Sequence, residues 1–209
     1  LQFADAVMLV QKRGQFMQSA VPIGEGGMAA VLGLDDEQVR EVCIAASQGE
    51  VVQAVNYNAP GQVVIAGNNA AIERAIKGCK EAGAKRAMAL SVSAPFHSEL
   101  MKPAAEELTG VLNEVNFAKP KIIVVQNVDA AVHDDPEEIR ENLIKQMYGA
   151  VLWTDTVLMM KQIGVTTLIE CGPGKVLTGL TKRIDKSITG HNVDSVASIA
   201  TVSEALIDG

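Results

Sequence analysis

The chain has 209 residues, 48% of them hydrophobic, enough to bury a sizeable core as one large domain or a domain carrying an insert. Its 18 basic and 25 acidic residues leave a net charge of -7, and only 3% of residues are aromatic, which argues against a phosphate-tracking surface, a base-stacking platform and nucleic acid as a partner. The cysteines Cys43, Cys79 and Cys171 lack CxxC spacing, no apolar run reaches the roughly 20 residues of a membrane span, and the first residues carry no signal-peptide pattern, so a reducing cytoplasm and no membrane partner are expected.

In chain order, residues 3–18 set Phe3, Ala6, Val7, Val10, Gly14 and Met17 at three- and four-residue spacings, the pattern of a helix packed on one side, with Pro22 and Gly24 ending it. No capping residue or initiator methionine precedes this helix, so the sequence is expected to start inside something larger. A strand at 28–34, a helix at 35–47 with Asp35 as N-cap, strands at 51–57 and 62–66 around a 58–61 turn, a helix at 70–82 and a strand at 86–92 follow. Their order, βαββαβ, is the ferredoxin-like signature.

After Pro95, helices at 98–115, 136–148, 154–163 and 175–185 alternate with strands at 122–128 and 166–170, which predicts an α/β layer with a mostly parallel sheet. The expected organisation is therefore an α/β main subdomain, residues 1–23 and 94–209, incomplete as it stands, with a ferredoxin-like small subdomain inserted at 24–93.

Arg13 falls between Ala6, Leu9 and Met17 on the apolar arc of the first helix, where a guanidinium needs a partner. Its planar fork suits a carboxylate held by two hydrogen bonds; the competing reading is a snorkelling arginine or one paired with a structural acid. His97 stands where a strand ends, Pro95 forces an extended backbone and Ser98 offers an N-cap, a setting for a general base at a cleft rim or for plain surface decoration. His133 and His191 lie in polar loops, and no histidine pair has metal-ligand spacing, so no metal site is expected. The 170–175 segment, with two glycines and a proline ahead of a helix, either points amides at an anion or is a tight structural turn with Cys171 as a small buried hydrophobe. No GxSxG elbow occurs, so the residues supply a base and an anion receptor without a nucleophile.

Four segments, VQKRGQFMQ around Arg13, NYNAPGQVVIAG at 56–67, VSAPFHSELMKPA at 92–104 and GPGKVLTGL at 172–180, together resemble successive motifs of the malonyl-CoA:acyl-carrier-protein transacylases, almost end to end. The resemblance implies ping-pong transfer of malonyl from coenzyme A to the phosphopantetheine thiol of acyl carrier protein in fatty acid biosynthesis, through a serine ester. By matching motif, His97 is the base, Gln146 in KQMYGAVLW supplies the carbonyl that orients the imidazole, Arg13 grips the malonyl carboxylate, and Asn58 and Gln62 line the acyl pocket; Asn58 is equally a turn residue. Lys85, Arg86, Lys182 and Arg183, with Lys175, are candidates for the carrier protein or the coenzyme A phosphates, or are ordinary solvated cations.

The same resemblance implies no cofactor, malonyl-CoA being substrate, and as partners malonyl-CoA, acyl carrier protein and the N-terminal segment as a separate chain. The family places its GHSxG serine and an oxyanion loop upstream of the first helix here, so these 209 residues alone are expected to be inactive. Ala150 also stands where the family usually has proline. Other readings are a non-catalytic carrier-binding module, the acyltransferase domain of a polyketide synthase, and a cysteine nucleophile paired with His97.

Overall fold

Strands form where apolar residues face both ways, and the computed structural model, which describes residues 1–207, has four of them in one antiparallel sheet: β1 (Gly26–Leu32), β2 (Val52–Ala59), β3 (Gln62–Asn68) and β4 (Arg86–Ala89). The sheet order is β2-β3-β1-β4, with α2 (Asp36–Ser47) and α3 (Asn69–Glu81) as the two crossovers. This is the ferredoxin-like arrangement expected from the βαββαβ order. Helix α2 starts on a capping box: Asp35 Oδ1 accepts from the Gln38 amide at 2.8 Å while Gln38 Oε1 accepts from the Asp35 amide at 3.1 Å.

Period-two alternation gives the sheet two buried faces. Ala29, Val31, Val63 and Ile65 point at α2 and α3, where Val39, Cys43, Ile72 and Cys79 complete one cluster. Met28, Val55, Val64 and Ala66 point the other way and pack with Phe96. That second face ties the sheet to the segment that carries His97.

A second cluster joins three helices, α1 (Phe3–Ser19), α4 (Lys102–Asn113, entered through a short 3-10 turn, Glu99–Met101) and α5 (Pro136–Tyr148). Both α1 and α5 pack on α4. The remainder comprises β5 (Val125–Gln126) and β6 (Ala131–Val132), an antiparallel pair; α6 (Trp153–Gln162); and β7 (Thr167–Cys171), α7 (Val176–Ile184) and β8 (Thr189–Val193), a βαβ unit with parallel strands, followed by α8 (Val196–Ile207). The two units are stitched at the backbone: the Tyr57 amide donates to Val151 O at 2.9 Å and the Val151 amide to Val55 O at 2.8 Å.

Several expectations shift. Of the expected stripe Met17 is buried, while Phe3, Val7 and Val10 are exposed, at 84% for Phe3 and 69% for Val10, and the buried side of α1 carries Leu9 with Met17. This helix is apolar on two faces, so spacing alone could not say which is covered. The strand expected over 122–128 shrinks to β5, and Ile122 is 77% exposed. Of the parallel sheet, the described residues hold the β7–β8 pair; β8 and α8 were not expected, β8 because its Thr, Gly, His and Asn leave no apolar run to read.

The β5–β6 hairpin is pinned to α5 by His133, whose Nε2 lies 2.7 Å from Asp129 Oδ2 and Nδ1 3.2 Å from Glu138 Oε2. Asp129, and after it Glu138, hold the imidazolium, so the pKa rises above the ordinary 6.5 even though burial opposes it. A raised folded-state pKa adds stability that is fully present below the unfolded value and is lost as pH climbs through the folded one. The excess of the wild-type thermal midpoint over that of His133→Gln should be largest below this range and shrink as pH rises through it.

Candidate active site

Leu9 and Met17, one turn to either side of Arg13 on α1, are 7% and 3% exposed, so the stem of Arg13 runs half-buried along the three-helix cluster. Loss of hydration lowers the pKa of its guanidinium. Nη2 donates to Gln146 Oε1 at 2.6 Å.

His97 is placed by a turn rather than by a helix. Pro95 and Ser98 are buried on either side of it, Ser98 Oγ donates to Pro95 O at 2.7 Å, and His97 itself sits at φ +64°, a left-handed conformation unusual for a residue with a Cβ. Ser98 thus bonds backward and does not cap the next turn through its side chain, correcting the expected N-cap. Gln53 of β2 does that work, its Oε1 accepting from the Glu99 amide at 2.8 Å. Gly26 makes room for the arrangement, since a Cβ there would come within 2.6 Å of the Pro95 ring.

Gln146 lies in the last turn of α5, where helical carbonyls run out of intrahelical partners. Its backbone oxygen lies 2.9 Å from His97 Nδ1. A carbonyl only accepts, so Nδ1 carries the proton and Nε2 is the basic nitrogen. Burial, and then the charge of Arg13, depress the His97 pKa, while hydrogen bonding to the Gln146 and Gly149 backbone offsets part of the effect; the net shift is downward. The imidazole is therefore neutral near pH 7, the form a general base requires. Asn142, buried one turn earlier, anchors α5 by donating to Asp129 Oδ2 at 2.9 Å and Gln126 Oε1 at 3.1 Å. Arg13, Gln146 and Asn142 share a cavity of about 1020 Å³ with Gln126, Trp153 and Thr156.

The structure thus brings together Arg13, His97 and Gln146. Asn58 and Gln62 do not line that cavity, and neither does His97, which joins the group through the Gln146 backbone oxygen. Asn58 belongs to β2, and Gln62, the first residue of β3, accepts a hydrogen bond from Arg183, because α7 packs against β2 and reaches that end of the hairpin. Lys85 and Arg183 face a separate groove with Gly33 and Gly61, while Arg86 and Lys182 are exposed nearby in β4 and α7.

After the turn that follows β7, Glu170 takes the first amides of α7: its carboxylate accepts from the Leu177 amide at 3.1 Å and from the Thr178 amide and hydroxyl at 2.8 Å each. Cys171 beside it is exposed rather than buried. Burial, with Cys79 adding to it, pushes the Cys43 thiol up to about 12 and also raises Cys79, so neither is a thiolate nucleophile. Among the described residues no cluster of three or more His, Cys, Asp or Glu is placed to hold a metal ion, and no helix is long and apolar enough to cross a membrane. Gln53 and Asn142 escaped sequence reasoning; Asn142, one turn before Gln146, at least left a polar residue at a helical spacing that could have been noticed.

The family model described as the acyl transferase domain matches residues 1–204. The malonyl CoA-acyl carrier protein transacylase of Haemophilus influenzae is 53% identical over 207 residues, covering 99% of this chain and 66% of the relative. The acyl-carrier-protein S-malonyltransferase structure from Burkholderia pseudomallei superposes with a TM-score of 0.94 at 54% identity, covering 98% of this chain and 66% of that one. A malonyl-transacylase in complex with a type II polyketide acyl-carrier protein gives 0.95 at 48% identity, with 98% and 66% covered. The chain spans 66% of the length of each of these relatives.

Because the Arg13 charge is one cause of the depressed His97 pKa, Arg13→Gln should raise it, read from the His97 ring shifts in an NMR pH titration. Gly26→Ala should destabilise the chain by about 1–3 kcal/mol in urea unfolding, since the proline ring it meets cannot rotate away.

Proposed function

This chain belongs to the acyl transferase domain family, and on that premise we propose that it forms the base- and receptor-bearing part of an enzyme that moves malonyl from coenzyme A to the phosphopantetheine thiol of acyl carrier protein in fatty acid biosynthesis. One observation carries the reading: a single residue, Gln146, holds both a neutral imidazole by its Nδ1 and a half-buried guanidinium. The first can take a proton and return it; the second can grip a carboxylate.

In this reading His97 Nε2 removes the proton of a serine hydroxyl as the oxygen attacks the malonyl thioester, and then passes it to the departing coenzyme A thiolate. The carrier thiol repeats the sequence in reverse, losing its proton to His97 as it attacks the serine ester. No GxSxG sequence occurs in the 209 residues, so the hydroxyl comes from outside them and the chain alone is inactive. Arg13 holds the malonyl carboxylate through both steps. No cofactor takes part, since the proton and the acyl group are exchanged among side chains and substrate.

Lys85 and Arg183 across their groove, with Arg86 and Lys182 close by, offer positive charge for the coenzyme A phosphates or an acidic carrier. The polyketide carrier bound to one relative widens the class of acyl carrier protein to consider. Free cysteines suit a reducing cytoplasm.

The test is Arg13→Ala in the protein extended to the length of its relatives. Malonyl transfer should drop by the equivalent of about 2–5 kcal/mol while acetyl transfer stays near its starting rate. Equal losses for the two acyl groups would make Arg13 structural and remove the receptor from the scheme.

A further inference from the structure

A half-buried arginine is ordinarily matched by a carboxylate, and a matched pair has little charge to offer a ligand. Arg13 is not matched in this way. The ion pairs among the described residues leave it out, and its side-chain partner is the neutral amide oxygen of Gln146. That oxygen is held from behind: the Gln146 backbone is fixed on His97, the Gly149 amide closes on Lys145 O at 2.7 Å, and Asn142 locks the preceding turn.

We propose that the Gln146 side chain is a neutral placeholder, which aims the Arg13 guanidinium into the cavity without discharging it and thereby sets the preference for acyl groups that end in a free carboxylate. The proposal rests on reading Arg13 as the carboxylate receptor. The guanidinium carries five N–H donors. One bond to an amide oxygen leaves enough for a two-point grip on an incoming carboxylate, so Gln146 need not move aside. An acid at 146 would have the same reach but would cancel the charge that draws the substrate. An aliphatic residue would leave the charge and lose the aim. Gln146 is therefore a positioning residue, acting on the substrate through Arg13.

Malonyl-CoA and acetyl-CoA differ by the terminal carboxylate alone, and calorimetric titration of the 209-residue chain with each separates charge recognition from general damage. The wild-type chain should bind malonyl-CoA at least about tenfold more tightly than acetyl-CoA. Gln146→Glu should bring the two affinities to within about twofold, by weakening malonyl-CoA and leaving acetyl-CoA unchanged, and Gln146→Leu should keep part of the preference. A structural defect would instead weaken both ligands together. Retention of the full preference by Gln146→Glu, or a parallel fall for both ligands, overturns the placeholder. Arg13→Ala run alongside distinguishes the two levels: if it keeps the malonyl preference, the receptor reading itself fails; if it abolishes the preference while Gln146→Glu retains it, the placeholder alone fails. Should Gln146→Glu not fold by circular dichroism, Gln146→Leu decides: malonyl-CoA weakened at least about threefold with acetyl-CoA unchanged supports the proposal, and equal weakening refutes it.

Discussion

A cation drawn out of water must meet a polar partner or surrender its charge, and the placement of Arg13 imposes that condition on the helices around it. The partner is delivered by α5, which reaches Arg13 because α5 and α1 both pack against α4. Small residues on α4, Ala104 and Ala105, let the other helices approach closely. The same last turn of α5 leaves a carbonyl without a helical donor, and the imidazole of His97 satisfies it. The need of a buried charge for a partner and the need of a helix end for a donor are thus met at one residue.

Holding His97 there requires the rest of the molecule. The segment ahead of it packs Phe96 on the face of the sheet opposite α2 and α3, Gly26 in β1 leaves space for the Pro95 ring, and Gln53 in β2 receives the amide that follows. A residue in the left-handed region costs of order 1–3 kcal/mol, and such a conformation persists only where its surroundings over-determine it. The four-stranded sheet is the surrounding in this case. Its contribution to the chemistry is mechanical: it carries none of the three groups at the centre of the site and fixes the turn that carries one of them.

Much of this was legible in the sequence, and unevenly so. The strand and helix order of the ferredoxin-like unit could be read because its short apolar runs are set apart by turn residues and its helices keep a 3.6 period, and Asp35 announced its helix as an N-cap. Arg13 stood out as a charge on an apolar arc and His97 as a histidine after a proline. Spacing could not reveal which apolar face of α1 is covered, nor that Gln62 turns toward Arg183, because both are decided by elements far away in sequence. The 170–175 segment reads equally as a turn open to an anion or as a tight structural turn, and neither reading shows that the helix end recruits the Glu170 carboxylate from the preceding strand. A side chain that serves the backbone a few residues later leaves no periodic trace.

The seam at Val151 bears on how such a protein can drift in sequence. Two main-chain hydrogen bonds join it to β2, one given and one received, and the next restraint on that strand, from the Thr154 hydroxyl to Tyr57 O, lies three residues on. Nothing in the pair depends on the side chain at 151, and among the described hydrogen bonds the neighbouring Ala150 amide makes none. Position 150 is free to exchange alanine for proline at no cost in hydrogen bonds, and at 151 the two bonds need only a residue that keeps its N–H. A junction made of backbone hydrogen bonds keeps the alignment of sheet and site independent of the chemistry of the side chain at the seam.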